Sequence, residues 1–287
     1  MVVLFSGFLI WFLGVGMWYS FGVFFKPVAE DFGWSRADTS LGIAVAQLTN
    51  GLLSPLAGYL SDRYGPRATS LASGLFFAIG YGLLSQTHAL WQFYLFYFFV
   101  GLGMTMNYIP IVSLVSRWFT QKRGLALGIT GTGAGVGQTI LPPLATYLVL
   151  NFGWSAAYLL LGIPMGLLVA AFALRLRRPP ATKGTKAEGP ISVRPTFSLR
   201  SAMLTPTFWV ILVTHFVINF NLMVVMMHLV NYATDQSISA TVAASFLGAI
   251  GLANILGKLS MGALSDRIGR RTSLIITFGL GAVAMLW

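Results

Sequence analysis

The chain has 287 residues, of which 56% are hydrophobic and only 9% charged. Its mean hydropathy is +0.77, and it lacks the roughly 25% of charged residues typical of a soluble domain, which excludes a cytosolic enzyme and a disordered chain. The 18 Lys and Arg against 7 Asp and Glu give a net charge of +11, but these cations sit between apolar runs, where they set membrane topology rather than mark a nucleic-acid partner.

The runs are continuous rather than alternating, so they predict helices and not a barrel. Eight are long enough to cross a bilayer, at 4–25, 39–60, 69–87, 90–117, 124–150, 155–174, 207–230 and 239–263. A ninth begins near Thr272 and reaches Trp287 without an exit, so the sequence reads as truncated inside its ninth helix. The Arg-, Pro- and Gly-rich stretch RLRRPPATKGTKAEGP interrupts the series. The expected organisation is a six-helix bundle over 1–174, a flexible basic linker over 175–206, and the start of a second six-helix bundle over 207–287.

Charge and repetition support that arrangement. Arg63 and Arg67, then Arg117, Lys122 and Arg123, then the seven cations from Arg175 to Arg200, then Arg267, Arg270 and Arg271 make 15 of the 18 basic residues. All follow even-numbered spans, so those loops and the N-terminus are expected in the cytoplasm, at a plasma membrane or a bacterial inner membrane. Residues 58–67, GYLSDRYGPR, recur at 262–271 as GALSDRIGRR, with seven of ten positions identical at an offset of 204. The same offset pairs Asn50 with Asn254. Six spans therefore separate two copies of one unit, which points to a six-plus-six architecture.

The G-x-L-S-D-R-x-G-x-R pattern, found twice in turns on the same side, resembles the signature loop of the major facilitator superfamily. That resemblance implies an all-α polytopic fold with a six-plus-six helix pseudo-repeat. It also implies that Asp62, Arg63, Arg67, Asp266, Arg267 and Arg271 belong to a cytoplasmic gate, the two carboxylates pairing with arginine or capping a neighbouring helix. VFFKPVAEDFGWSRADTS after the first span and RWFTQKRGLALGITGTG before the fifth resemble the monocarboxylate transporter and oxalate–formate antiporter branch.

The polar residues inside spans are few enough to take singly. Asn254 and Lys258 share one face of span eight at i,i+4. A lysine there costs ~2.5–3.5 kcal/mol near the bilayer centre, and no Asp or Glu lies in any predicted span to pair with it. An anionic substrate would supply the partner; snorkelling of the stem to the cytoplasmic face is the competing reading. The branch places a carboxylate-gripping arginine near this position; lysine cannot form that two-pronged contact.

Asn107 and Tyr108 in span four match cavity-lining residues of bacterial lactate-transporting relatives, with helix–helix bonding as the structural alternative. Tyr19 stands about where animal relatives carry a lysine, and also fits an interfacial aromatic belt. Gln138 is a cavity candidate in the glycine-rich fifth span, and His215 a proton-relay candidate in the seventh. GTGAGVG lies in the bilayer with no preceding strand, so it is not a nucleotide loop.

The expected function is secondary active transport of a small organic anion, a monocarboxylate of the lactate or pyruvate kind, by alternating access and coupled to protons. Anion exchange of the oxalate–formate type and efflux of amphipathic compounds are the alternatives. The expected protein is a monomer in the bilayer. It is not an enzyme and needs no cofactor or metal.

Overall fold

The structure, a computed structural model, describes the backbone of residues 2–177, 199–236 and 240–286, and the side chains of 2–177, 201–221, 236, 249–269 and 271–283. Most of the expected linker, 178–198, lies outside the described residues. Among the described residues the fold is all helix. Contacts group Met1–Pro179 with Gly251–Trp287 into one compact unit and Pro180–Ile250 into a second.

The first unit opens with α1 (Val2–Tyr19) and α2 (Phe21–Phe32). The sequence predicts a first span ending at residue 25 with a loop after it. Instead the chain stays helical to Phe32, because Phe24 and Val28 are buried against the cluster around Tyr158; at the junction Ser20 Oγ donates to the Gly16 carbonyl at 3.1 Å. Gly33, at φ +64°, then stops the helix in the left-handed region. Ser35 starts α3 (Arg36–Tyr64) as an N-cap: its Oγ accepts the Asp38 N–H at 3.1 Å.

α4 (Pro66–Leu84) and α5 (Leu90–Trp118) follow, and then a 52-residue element, α6 (Arg123–Leu174). Gly153, at φ +79° and ψ +165°, bends α6 into two helical stretches that match the predicted fifth and sixth spans. Val2–Phe32, Arg36–Tyr64, Leu90–Trp118 and Arg123–Leu174 are each long and apolar enough to cross a bilayer.

Two apolar clusters fill this bundle. At one end Phe24 stacks on Tyr158, centroids 3.9 Å apart, and the buried Tyr97 and Tyr158 hydroxyls satisfy each other at 2.9 Å. At the other, Ile10 and Trp11 of α1 pack with Ile111, Leu114 and Val115 of α5. α4 meets the second stretch of α6 backbone to backbone: a Cβ on Gly74 would lie 2.5 Å from the Gly166 carbonyl oxygen.

In the second unit, α7 (Leu199–Met203) leads into α8 (Pro206–Asp235), where Thr205 Oγ1 accepts the Phe208 N–H at 3.4 Å. α9 (Ala240–Ile268) begins in the second unit and ends in the first, where α10 (Arg270–Leu286) follows.

The repeat read from sequence is present in the backbone. Gly65, between α3 and α4, has φ +93°, and Gly269, between α9 and α10, has φ +85°. Beyond each corner a hydroxyl bonds back to that glycine's carbonyl, Thr69 to Gly65 at 3.0 Å and Ser273 to Gly269 at 3.0 Å.

Candidate functional site

One face of the first stretch of α6 is built from Gly124, Gly128, Gly131 and Gly135, spaced so that all four look toward α9. A Cβ on Gly128 would stand 2.5 Å from the Lys258 carbonyl oxygen, and one on Gly262 would stand 2.6 Å from the Gly124 carbonyl oxygen. The two helices therefore touch along their backbones.

At the start of α6 this contact becomes electrostatic. Asp266 of α9 accepts the Gly124 N–H on Oδ1 at 2.8 Å and the Leu125 N–H on Oδ2 at 2.9 Å. The residue before the helix, Lys122, makes no side-chain cap of its own. A carboxylate from another helix thus satisfies two of the free N–H groups and meets the positive end of the α6 dipole. Its counterpart in the repeat, Asp62, instead takes Arg117 Nη2 of α5 at 3.1 Å. Arg63 turns to Tyr59, donating to its hydroxyl at 2.9 Å, and lies over the Tyr64 ring. Arg67, Arg267 and Arg271 are exposed.

Two turns back along α9 from Asp266, the half-buried Lys258 lays its stem across Gly131 and donates from Nζ to the Gly131 carbonyl oxygen at 3.2 Å. Among the described residues it has no ion-pair partner; the ion pairs are Lys26–Glu30 and Arg117–Asp62. On the same face of α9, the buried Asn254 Oδ1 has no hydrogen-bond partner and lies 3.9 Å from where a Gly135 Cβ would be. Trp11 Cζ3 is 3.7 Å from the point a Gly131 Cβ would occupy. The Trp11 ring stacks on Tyr108 with centroids 4.7 Å apart and planes 5° apart, and its buried Nε1 has no partner. One ammonium, one free amide oxygen and two stacked rings are thus gathered from three helices, α1, α5 and α9, beside the glycine face of α6.

Within the first unit the structure brings Lys258, Asn254 and Tyr108 into this neighbourhood, leaves Gln138 further along α6, and separates Asn107 and Tyr19 from it. Asn107 points into the bundle, 1% exposed, with Nδ2 donating to the Ile10 carbonyl at 3.5 Å. Successive helical residues point ~100° apart, so Asn107 and Tyr108 cannot share a face; Tyr108 is 55% exposed. Tyr19 lies a little over two helical turns along α1 from Trp11 and packs on the cluster holding Phe24 and Tyr158. Gln138 is half-buried on α6, two turns beyond Gly131. His215 is exposed in the second unit, its carbonyl accepting Asn219 Nδ2 at 2.8 Å. A separate recess of about 680 Å³ opens beside the first turns of α1, Ile129 and Arg175, and none of the candidates lines it.

The sequence pattern of the Major Facilitator Superfamily matches residues 6–287. The chain belongs to this superfamily. The oxalate:formate antiporter of Oxalobacter formigenes is 28% identical over 270 residues, covering 94% of this chain and 64% of the relative. Monocarboxylate transporter 3 of Rattus norvegicus is 32% identical over 291 residues, covering 99% and 58%. The fujikurins efflux protein of Gibberella fujikuroi is 27% identical over 241 residues, covering 82% and 49%. The chain thus spans between 49% and 64% of the length of these relatives. Membership of the superfamily, together with the long apolar helices, makes this a multi-pass membrane protein.

Trp11 was missed in the sequence, although a signal was there. Tryptophans of membrane helices gather at the two interfaces, and Trp11 stands midway along an apolar run that continues on both sides. The sequence does not single out Gly131 within the glycine-rich fifth span. Nothing in its own helix distinguishes it from its glycine neighbours, since its contact comes from a residue 127 positions away.

Proposed function

We propose that this member of the major facilitator superfamily moves a small organic anion, a monocarboxylate of the lactate or pyruvate kind, by alternating access. The observation that carries the reading is the Lys258 ammonium, half-buried and, among the described residues, held by one backbone carbonyl with no counter-charge. A cation placed there without a counter-charge is costly unless a negative ligand joins it. Lys258 would attract the carboxylate, Asn254 and Tyr108 would orient it, and Gln138 would extend the lining. Asn107 is left to the bundle interior. Similarity to the monocarboxylate transporters and to the oxalate:formate antiporter supports an anionic substrate.

In this reading the 1–174 and 207–287 segments belong to two bundles that rock about the site, with the basic linker and the N-terminus in the cytoplasm. Asp266 on the α6 terminus closes the inner side, and its release opens it. Proton symport cancels the charge of the passenger, with His215 as the relay candidate. Exchange of one anion for another is the second reading, favoured by the lack of any carboxylate beside Lys258 among the described residues.

Counterflow of labelled lactate into vesicles holding the full-length protein tests the reading. Wild type accumulates label, and Lys258→Ala loses at least about tenfold in kcat/KM, the size of one lost charge-assisted contact. Undiminished transport by Lys258→Ala removes the site assignment. Accumulation driven by a pH gradient in the absence of internal anion separates symport from exchange.

A further inference from the structure

The glycines of α6 that face α9 do not all meet the same thing. A Cβ on Gly128 would meet the Lys258 carbonyl oxygen at 2.5 Å, a backbone contact that sets how closely the helices pack. A Cβ on Gly131 would meet side-chain carbons instead: Lys258 Cδ at 3.2 Å, Lys258 Cε at 3.8 Å and Trp11 Cζ3 at 3.7 Å. The missing side chain of Gly131 therefore leaves a slot, with the indole edge as one wall and the lysine stem lying in it. The floor is polar at one point, the Gly131 carbonyl oxygen, which takes Nζ at 3.2 Å.

We propose that Gly131 is a positioning residue for Lys258, its bare backbone and carbonyl holding the ammonium where the substrate carboxylate meets it. The inference rests on the reading of Lys258 as the anion's contact. A lysine stem has four rotatable bonds, and an unrestrained one would lose much of its freedom on each binding event. The slot orders the stem beforehand, and a single bond to a carbonyl leaves the other ammonium protons free for a carboxylate. A methyl at residue 131 would push the stem aside by several tenths of an ångström, and small displacements of a binding group are costly.

The test uses the full-length protein in vesicles, with whichever of labelled lactate, pyruvate or oxalate the wild type takes up fastest. Gly131→Ala is expected to raise KM about tenfold with kcat within about twofold of wild type. Gly74→Ala, whose Cβ would meet the Gly166 carbonyl oxygen at 2.5 Å between α4 and α6, disturbs backbone packing without touching Lys258 and is expected to lower kcat and leave KM unchanged. The same anion's stabilisation of each protein against heat is measured on Gly131→Ala, Lys258→Ala and the double variant, which need not transport. The shift is expected to shrink in Gly131→Ala and to vanish alike in Lys258→Ala and the double variant.

A wild-type KM in Gly131→Ala overturns the proposal. So does a fall in kcat with unchanged KM that matches Gly74→Ala, which makes Gly131 a packing residue. A residual shift in Lys258→Ala that Gly131→Ala reduces further also overturns it. Failure of the underlying reading looks different: the wild type takes up none of the three anions, or Lys258→Ala transports like wild type.

Discussion

Asp266 shows how much one carboxylate can connect. It caps α6 from α9 by accepting two N–H groups, at 2.8 and 2.9 Å. Removing an N-cap costs roughly 0.5–2 kcal/mol. Asp266→Ala loses both bonds and the charge at the helix terminus, whereas Asp266→Asn keeps one acceptor oxygen. The expected order of thermal stability in detergent is wild type, then Asn, then Ala. Because the cap exists only while α6 and α9 are together at this end, losing about 1 kcal/mol should shift the population of the closed arrangement roughly fivefold. Accessibility of a single cysteine placed at Leu125 reports that shift, and equal accessibility in Asp266→Ala and wild type would show that the cap does not bias the gate.

At the scale of the element, the two repeat corners make a matched pair. Gly65 and Gly269 have φ of +93° and +85°, in a region an L side chain enters only with strain. The helices on either side of each corner continue almost without a loop, so the turn must be made within a single residue. Gly65→Ala and Gly269→Ala should each lower stability by about 1–3 kcal/mol, seen as a lower melting temperature of the purified protein. A loss below 0.5 kcal/mol at both corners would show that the turns relax into ordinary geometry. These corners were legible in the sequence because seven of ten residues recur at a fixed offset. The extension of α1 into α2 was not. Lys26, Pro27, Glu30 and Asp31 look like loop residues, yet Phe24 and Val28 on the same helix are 1% exposed, buried against the cluster around Tyr158. Tertiary burial of two apolar side chains outweighed local polarity and an internal proline.

For the molecule as a whole, the distribution of Lys and Arg predicts sidedness. These 287 residues contain no cysteine, so a cysteine introduced among them stands alone there. A cysteine at Thr182 should react with a membrane-impermeant maleimide only when the cytoplasmic face is exposed, and one at His88 only from the opposite face. The reverse pattern would invert the topology and put the Asp266 cap on the external side.

Composition and the length of the apolar runs alone determined that this is a multi-pass helical membrane protein. Those properties follow from transfer of long apolar segments out of water, which each segment decides for itself. The residue types of the candidate site were equally visible, because a lysine in a span is conspicuous wherever it points. Tertiary structure alone decided which of them meet. That the Tyr108 face of α5 meets Trp11, and that Gly131 and Lys258, 127 residues apart, share a hydrogen bond, are facts of the packing. Which atoms become neighbours depends on how the helices approach one another, a property of pairs of elements that no single segment carries.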